Sequence, residues 1–349
     1  MKIHRAAIIA ATALALGACT EQLNMLKARQ AFKDANVAYA NKEYEEATHS
    51  YNRVLELDPN GDPRVIVPTH FYLGSSHHLL YRPTSRDPSN IEHLDRAVEQ
   101  YSLTLEKSQD VDPLDQELLV VAATRQYALE QLAAIYRDVR DDFATAEKYY
   151  LELIKLDPER PERYYTLGDL YERFHDPERM PLLDKAVEAF ERPVEMDPND
   201  PVRYRHVAAL LNRYGRFEET IKWLERARDA RTTDAEGYYL IATHYWDKVY
   251  RDPDLTSDQR REFTALGIQE LDNALQINPE YVDALVYKGL LLREQAKLEP
   301  NAATRAELEK EANELRDKAL VLKAAQDEAA AAAEAAGGTA GSEGEGTTP

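Results

Sequence analysis

The sequence predicts an all-α protein assembled from successive pairs of helices. Only 13 of the 349 residues are glycine, whereas 44% are apolar and 30% are charged, and this composition favours helices. Dipeptides in which proline follows Asp or Asn recur along the chain, and they end helices because proline pushes the preceding residue out of the α region. These prolines follow small and aromatic residues at a fixed spacing, which indicates an internal repeat.

The repeat has two halves. The second half has a small residue, an aromatic residue or Leu four positions later, and proline eight positions after that. It occurs at Ala47, Tyr51 and Pro59; at Ala146, Tyr150 and Pro158; at Ala186, Phe190 and Pro198; and at Gly267, Leu271 and Pro279. The first half has an apolar residue, a small residue and then an aromatic residue, most clearly in Leu167, Gly168 and Tyr171. A small residue lets a neighbouring helix approach closely, so each repeat is predicted to form a packed helix pair.

Together the two halves resemble the tetratricopeptide repeat (TPR), a helix–turn–helix unit of about 34 residues. About seven such repeats cover residues 26–325. The resemblance implies a TPR-type, right-handed α-solenoid whose first helices line a concave groove. It also implies a protein that binds other proteins and has no enzymatic activity.

The N-terminal residues have the pattern of an export signal. Lys2 and Arg5 provide positive charge, and residues 6–16 form an apolar run that is too short to span a bilayer. Small residues follow this run, as they do before the cleavage site of a secretory signal peptide.

Cys19 is the only cysteine in the chain, and it directly follows Leu-Gly-Ala. This ending resembles the lipobox of bacterial lipoproteins. The resemblance implies that residues 1–18 are removed, that Cys19 is lipidated, and that residues 19–25 form a short tether. Thr20, where an Asp would retain the protein at the inner membrane, favours an outer-membrane lipoprotein facing the periplasm. The alternative is an ordinary signal peptide in which Cys19 has no role.

Charge and motifs exclude several functional classes. The net charge of −20 disfavours nucleic acid, because binding to phosphates needs clustered Lys and Arg. The chain contains no Gly-rich phosphate loop, no His-Glu-x-x-His motif and no nucleophile elbow. His70 and His77 share a helix face, but they are seven positions apart rather than the three or four that suit a metal ion. We therefore expect no cofactor, no metal site and no catalytic residues.

Residues of the first helices, one turn to either side of the small residue, are predicted to line the groove. Many are aromatic or Arg, and these side chains dominate binding energies at interfaces. The predicted groove residues are Phe32, Asn36, Phe71, Arg137, Tyr165, Asp169, Arg173, Arg205, Arg213, Tyr239 and Trp246. Some family members clamp a peptide C terminus with Lys and Asn four residues apart. Asn36 matches that Asn, but Phe32 replaces the Lys, so this clamp is not expected.

The second, fourth and sixth repeats are longer than the others, and their additional residues are predicted to lie between the two helices. Each insert has a basic residue or His before Asp-Pro. These residues are Arg86 and Asp87, His175 and Asp176, and Arg251 and Asp252. Asp before Pro is a favourable helix N-cap, so a turn is predicted to start in each insert. The three loops form a second candidate binding surface, here called the loop edge; the alternative is that they only pack on each other.

The last residues, 326–349, are predicted to contain the end of a C-terminal helix and a disordered Gly/Ser/Thr/Glu tail. Residues 301–335 favour one or two long helices. The expected function is a scaffold or adaptor for other envelope proteins or peptides, with the lipid as its only membrane contact. The first alternative is a stoichiometric structural subunit of an outer-membrane assembly, secretion or pilus machine, and the second is an enzyme with an unrecognised site.

Overall fold

The computed structural model describes the backbone of residues 2–85, 87–110 and 115–338, and the side chains of residues 20–333 apart from 86, 88 and 111–114. These residues form fourteen helices, and their only β-structure is an isolated antiparallel bridge between Asp176 and Met180. The helices are α1 (Lys2–Ala40), α2 (Tyr44–Leu57), α3 (Pro63–Leu80), α4 (Pro88–Lys107), α5 (Leu119–Asp138), α6 (Phe143–Leu156), α7 (Pro161–Arg173), α8 (Leu183–Met196), α9 (Pro201–Arg213), α10 (Phe217–Asp229), α11 (Ala235–Arg251), α12 (Ser257–Ile277), α13 (Val282–Leu298) and α14 (Ala302–Gly338). The predicted all-α class is confirmed.

Within each module, helices that follow each other in the chain pack together. In the second pair, Nδ1 of His70 in α3 lies 2.8 Å from Oε1 of Gln100 in α4, and Nδ1 of His77 lies 3.1 Å from Nδ1 of His93. As the residue number increases along α3, the number of the contacted residue in α4 decreases. The two helices are therefore antiparallel. The fourteen helices of the described residues agree in number and order with seven predicted helix–turn–helix repeats.

The chain divides into two compact modules between Ala186 and Val187, inside α8. We call residues 1–186 the N-terminal module and residues 187–349 the C-terminal module. In the N-terminal module α3 contacts both α1 and α5, and in the C-terminal module α11 contacts α13. First helices of neighbouring repeats therefore stack on each other within each module, as a solenoid requires.

The residues that define the repeat form the core. In the second helices the small residue and the aromatic residue or Leu are buried at Ala47 and Tyr51, Ala97 and Tyr101, Ala146 and Tyr150, Ala186 and Phe190, Thr220 and Leu224, and Gly267 and Leu271. The tyrosines at these positions, Tyr51, Tyr101 and Tyr150, are therefore packing residues. The pair in α4 was not part of the predicted pattern because no proline follows it at the repeat spacing.

Two glycines are required by close helix contacts. A Cβ atom on Gly74 would lie 3.2 Å from the carbonyl oxygen of Ala97 and 3.1 Å from Cδ1 of Tyr101, both in α4. A Cβ atom on Gly267 would lie 2.7 Å from Cδ1 of Leu291. The contacts at Gly74 are tighter than a Cβ atom usually makes, and Leu291 would have to shift to admit a Cβ atom at Gly267. Glycine therefore favours the close approach of α3 to α4 and of α12 to α13.

Arginine side chains satisfy the last carbonyl groups of five helices. These carbonyls have no donor within their own helix, and a cation near a helix C terminus is also favoured by the helix dipole. The donor–acceptor pairs are Arg125 and Leu105, Arg163 and Leu153, Arg203 and Pro193, Arg260 and Val249, and Arg305 and Glu299. Each arginine lies after the helix that it caps, so these contacts fix where one helix ends relative to a later one.

The additional residues of the longer repeats mostly extend helices. In the sixth repeat α11 and α12 have 17 and 21 residues, whereas α9 and α10 of the fifth repeat have 13 each. The second repeat also has long helices, with 18 residues in α3 and 20 in α4. The expectation that the extra residues lie between the helices is therefore wrong for these two repeats. Buried positions such as Val249 continue the apolar face, and the helix satisfies the added backbone groups internally.

The chain begins with helix α1 and ends with helix α14 and the residues that follow it. Helix α1 is continuous from Lys2 to Ala40, but the side chains of residues 1–19 lie outside the description, so lipidation of Cys19 stays a prediction. Within the described part of the chain, no helix combines the length and apolarity that crossing a membrane demands. At the other end, α14 is a single helix. Of the predicted disordered tail, residues 339–349 lie outside the described residues.

Candidate binding cavity in the C-terminal module

A cavity of about 600 Å³ lies where α9 and α11 end. It forms because α11 is four residues, about one turn, longer than α9. Ala208 and Ala242 hold the same place in their repeats, and the additional turn of α11 follows at its C-terminal end. The lining includes Asn212, Phe217, His244, Trp246, Arg251 and Tyr287. We call it the Trp246 cavity.

Aromatic rings form a corner at the cavity. The rings of Trp246 and Tyr250 are stacked, with centroids 4.9 Å apart and planes 8° apart. Tyr287 of α13 meets Trp246 edge-on, at 5.4 Å and 79°. Tyr239 in turn lies 5.4 Å from Tyr287 at 87°. Stacked and edge-to-face rings attract each other, so the corner is rigid, and Tyr250 remains 65% exposed beside it.

The charged residues of the cavity are paired along α11. Nε of Arg251 lies 2.6 Å from Oδ1 of Asp247, and Nζ of Lys248 lies 2.8 Å from Oδ2 of Asp252. The hydrogen bond from Lys248 holds the pKa of the Asp252 carboxyl below its usual value. Nζ of Lys248 also lies 5.3 Å from the centre of the Phe217 ring. The two ion pairs leave the cavity with no net charge.

Polar groups of the cavity remain available to a ligand. Nδ1 of His244 donates to the carbonyl oxygen of Leu240 at 2.9 Å, so in the neutral ring Nε2 is an acceptor. Within the described residues, neither the indole N–H of Trp246 nor the side-chain amide of Asn212 has a hydrogen-bond partner. The cavity therefore offers both donors and acceptors beside its aromatic corner.

Contacts from neighbouring helices hold the walls. Arg260 of α12 donates to the carbonyl oxygens of Val249 and Asp252, at the end of α11. Nζ of Lys288, next to Tyr287 in α13, lies 2.8 Å from Asp272 Oδ1 and 3.0 Å from Glu311 Oε1. These ion pairs tie α13 to α12 and α14, which fixes the helix that carries Tyr287.

The cavity combines residues from both predicted surfaces. Trp246 belongs to the predicted groove, whereas Arg251 and Asp252 belong to the predicted loop edge. Tyr239 adjoins the cavity through Tyr287. Like Tyr239, two further predicted groove residues of this module lie outside the lining: Arg205, which pairs with Glu236 at 3.2 Å, and Arg213, which is exposed near the end of α9.

Predicted groove residues of the first two repeats largely contact other residues of the N-terminal module. The hydroxyl of Tyr51 donates to Oδ1 of Asn36 at 2.8 Å, and the ring of Phe32 lies 6.3 Å from that of Tyr51. Phe71 lies 6.1 Å from Tyr127, whose side chain is 52% exposed. The side chain of Asn36 thus accepts a hydrogen bond from within the chain. Of the four rings of Phe32, Tyr51, Phe71 and Tyr127, that of Tyr127 is the most exposed.

Two predicted groove arginines of the N-terminal module converge on one carboxylate. Nη2 of Arg137 lies 2.7 Å from Oδ2 of Asp138, and Nη1 of Arg173 lies 3.1 Å from Oδ1. The hydrogen bonds from Arg137 lower the pKa of Asp138, and the charge of Arg173 adds to this effect. Tyr165 is half-buried and Asp169 exposed on α7. A binding role for these residues stays a prediction.

The three Asp-Pro dipeptides adopt different local structures. Asp87 is the N-cap of α4 and accepts from the Ser89 amide at 2.9 Å. Asp176 accepts from the Glu178 amide, and Asp252 accepts from the Asp254 amide, each at 2.9 Å. The predicted turns are confirmed at these positions, but a helix begins directly only after Asp87.

His175 and Arg86 are two other residues of the predicted loop edge. Nδ1 of His175 accepts from the Leu182 amide at 3.0 Å, which holds the insert of the fourth repeat against the start of α8. Arg86 lies outside the described residues.

Three aromatic residues in or beside the cavity were not predicted from the sequence. Phe217 begins α10, Tyr250 is in the added turn of α11, and Tyr287 is in α13. Tyr287 lies two positions before Gly289, the small residue of the last repeat, and that spacing could have indicated it. Phe217 lines the cavity and Tyr250 stacks on Trp246 beside it. Both positions depend on the greater length of α11 relative to α9, which the repeat pattern does not encode.

Side chains that could bind a metal ion are dispersed among the described residues. Among them, no group of three or more His, Cys, Asp or Glu side chains is placed to hold a metal ion. The His77 and His93 rings contact each other within the α3–α4 pair, and burial lowers the pKa of His77 to about 4. The Trp246 cavity thus offers ring faces and amide-type groups that suit binding.

Comparison with solved structures finds TPR proteins. The C-terminal part of a TPR repeat-containing protein from Cytophaga hutchinsonii is 14% identical; the match covers 83% of this chain and 98% of that one, with a TM-score of 0.41. A TPR protein from Parabacteroides merdae is 15% identical, with 82% and 99% coverage and a TM-score of 0.41. YrrB, described as a TPR protein with an unusual peptide-binding site, is 18% identical, with 68% and 97% coverage and a TM-score of 0.33.

Neither a protein-family model nor a curated protein matches the chain.

Proposed function

We propose that this protein is a non-enzymatic scaffold of the bacterial cell envelope that binds segments of other proteins in the Trp246 cavity. The observation that carries the proposal is the cavity itself. Its volume is within the range of ligand pockets, which are apolar and aromatic with a few well-placed polar groups. Trp246 and Tyr287 supply the aromatic surface, and Asn212 and His244 supply hydrogen-bonding groups.

The rigid support of the cavity favours this role. Binding is stronger when the site is already formed, because less conformational entropy is lost on association. Arg260 holds the end of α11, and Lys288 holds α13 by two ion pairs. Trp and Arg are also the side chains that most often dominate binding energies, and the cavity contains Trp246 and Arg251.

The envelope location rests on Cys19. A lipid attached to this cysteine would place the repeats at a membrane surface, since multiple acyl chains anchor a protein stably. Replacement of Cys19 by Ser is expected to move the protein from the membrane fraction to the soluble fraction after cell lysis. Retention of the serine variant in the membrane fraction would refute the lipid anchor.

Recovery of partners from the native membrane tests the binding role. Full-length protein, Trp246→Ala and Tyr127→Ala are each cross-linked in membranes and purified, and the attached proteins are quantified by mass spectrometry. Tyr127 is the matched control, because it is an exposed aromatic residue of the other module. We expect Trp246→Ala to lose specific partners that Tyr127→Ala retains, and equal partner sets would refute the role of the cavity.

The same purification separates a scaffold from a structural subunit. A stoichiometric subunit of an envelope machine leaves the membrane in a complex of fixed composition. A scaffold is recovered mostly without bound partners. Several different partner proteins are then present, each in a lower molar amount than the scaffold. We expect the second result, and a single fixed-ratio complex would favour the alternative.

A further inference from the structure

We propose that the outer face of α1 lies along an anionic lipid bilayer, with Leu23, Leu26 and Val37 against the lipid. This inference rests on the envelope location proposed above, and it adds a second membrane contact to the expected lipid on Cys19. Three features of α1 carry it: a stripe of exposed apolar side chains, the charge of the segment, and the position of the cysteine on the same helix.

Apolar side chains form a stripe along the outer face of α1. The side chains of Leu23, Leu26 and Val37 are 51%, 59% and 55% exposed. Residues 23, 26, 30, 33 and 37 alternate in steps of three and four, so they share one face of the helix. The opposite face carries buried residues such as Ala28 and Ala35, and the helix packs on α2 and α3. A single exposed apolar residue needs no explanation, but a row of them indicates an interaction surface.

The charge of this segment is opposite in sign to that of the chain. Residues 20–40 contain three basic residues, Lys27, Arg29 and Lys33, and two acidic ones, Glu21 and Asp34, whereas the net charge of the chain is −20. Lys33 lies within the stripe and Lys27 lies beside it, and among the described residues neither has an ion-pair partner. Lys side chains close to a membrane are attracted to anionic lipids. An apolar stripe with basic neighbours therefore matches an anionic lipid surface.

The position of Cys19 favours the bilayer over a protein as the occupant of this face. Helix α1 is continuous through residue 19, and this position precedes Leu23 by about one helical turn. Position 19 thus has the same register as the stripe. A lipid on Cys19 would keep the stripe at the bilayer, and such tethering raises the effective concentration of the second contact. Individually weak contacts are then enough to lay the helix along the surface.

Quenching by brominated lipid tests this orientation. The variants Leu26→Cys, Val37→Cys and Asn52→Cys are purified from membranes, labelled with an NBD fluorophore and reconstituted into vesicles of phosphatidylcholine and phosphatidylglycerol. The acyl chains carry either no bromine or bromine near the headgroup. Asn52 is the control, because it is exposed on α2, on the side away from the buried residues of that helix. Wild-type protein, whose only cysteine is Cys19, shows whether the label attaches elsewhere.

We expect bromine to lower the fluorescence at positions 26 and 37 at least about twofold and to leave that at position 52 unchanged. Position 37 decides the orientation, because it lies about 16 Å along the helix from position 26. A helix that stands upright on the membrane would carry position 37 away from the lipid.

The charge of the stripe is tested in the same vesicles. Lys27→Gln together with Lys33→Gln should reduce the quenching at position 37, because the attraction to phosphatidylglycerol is weakened. Lys155→Gln together with Lys222→Gln is the matched control, because it removes the same charge from exposed positions of α6 and α10.

Four results would overturn the inference. They are quenching at position 26 alone, equal quenching at positions 37 and 52, equal effects of the two lysine pairs, and a label at position 37 that is shielded from water but not quenched. The last result would indicate a protein, such as a second copy, on this face. Protein that fails to float with the vesicles would refute the lipid anchor as well, whereas protein that floats without quenching at position 37 refutes only the orientation of α1.

Discussion

Nη2 of Arg260, in α12, lies 2.9 Å from the carbonyl oxygen of Asp252 at the end of α11. The same guanidinium donates to the carbonyl oxygen of Val249. Val249 belongs to the added turn of α11, and Asp252 is the C-cap that follows it. Lys248, Arg251 and Asp252 of this segment form one wall of the Trp246 cavity. A side chain outside the cavity lining therefore determines the position of that wall.

Replacement of Arg260 by Met is expected to loosen the end of α11. Hydrogen bonds from a charged donor to carbonyl groups contribute about 1–3 kcal/mol, so the free energy of unfolding should fall by about this amount. Hydrogen exchange of the backbone amides of residues 248–252 should accelerate. Arg261→Met is the matched control, because Arg261 is exposed and pairs only with Asp258; an equal effect of both variants would contradict the role of Arg260.

Replacement of His77 by Leu is expected to reduce the loss of stability in acid. Burial lowers the pKa of His77 from 6.5 to about 4, so between these pH values the unfolded chain binds a proton that the folded chain does not. Stability therefore falls as pH falls through this window, by at most about 3 kcal/mol from this residue. Below pH 4 its contribution stays constant.

Leu is a suitable replacement because other repeats have Leu or an aromatic residue at this place. Urea unfolding at about pH 7.5 and about pH 5 measures the difference. Burial also lowers the pKa of His70 and His78, so part of the pH dependence should remain. His49→Leu, at an exposed position, is the control. An unchanged pH dependence in His77→Leu would contradict the prediction.

Replacement of Arg228 by Met is expected to destabilise the C-terminal module. Nη1 of Arg228 lies 2.8 Å from Oε1 of Glu270, which is nearly buried, and Oε2 of Glu270 has no hydrogen-bond partner. Loss of the arginine leaves a desolvated carboxylate, at a cost of about 2–3 kcal/mol.

The double variant Arg228→Met with Glu270→Met removes both charges and should be more stable than Arg228→Met alone. Burial already raises the pKa of Glu270. A carboxyl with a raised folded pKa destabilises the folded state above that pKa, so acidification should relieve part of the loss in Arg228→Met. Urea unfolding of the single and double variants checks both outcomes. A double variant that is less stable than Arg228→Met would contradict the account.

The sequence predicted the helix pairs because their determinants are local and periodic. Ala47 and Tyr51 are buried as the repeat pattern requires, and Trp246 was assigned to the binding surface from its distance to Ala242. The N-cap at Asp87 also follows from neighbouring residues.

The cavity could not be predicted in the same way, because it depends on where one helix ends relative to another. The insert containing Arg251 and Asp252 was expected to be a loop, but Arg251 ends α11 and Asp252 is its C-cap. Tyr287 is distant in sequence and approaches Trp246 only through the packing of α13 against α11. The contact between Arg260 and Val249 joins two helices and has no signature in either one.

Site-specific photo-cross-linking tests most directly whether the Trp246 cavity binds other proteins. A benzoyl-phenylalanine side chain replaces Tyr250, whose exposed ring adjoins the cavity, or Tyr127 in the N-terminal module as the control. After illumination of intact cells, cross-linked proteins are identified by mass spectrometry. We expect defined partner proteins attached through position 250 and absent at position 127. No cross-linked protein at position 250, or the same proteins at both positions, would contradict the account.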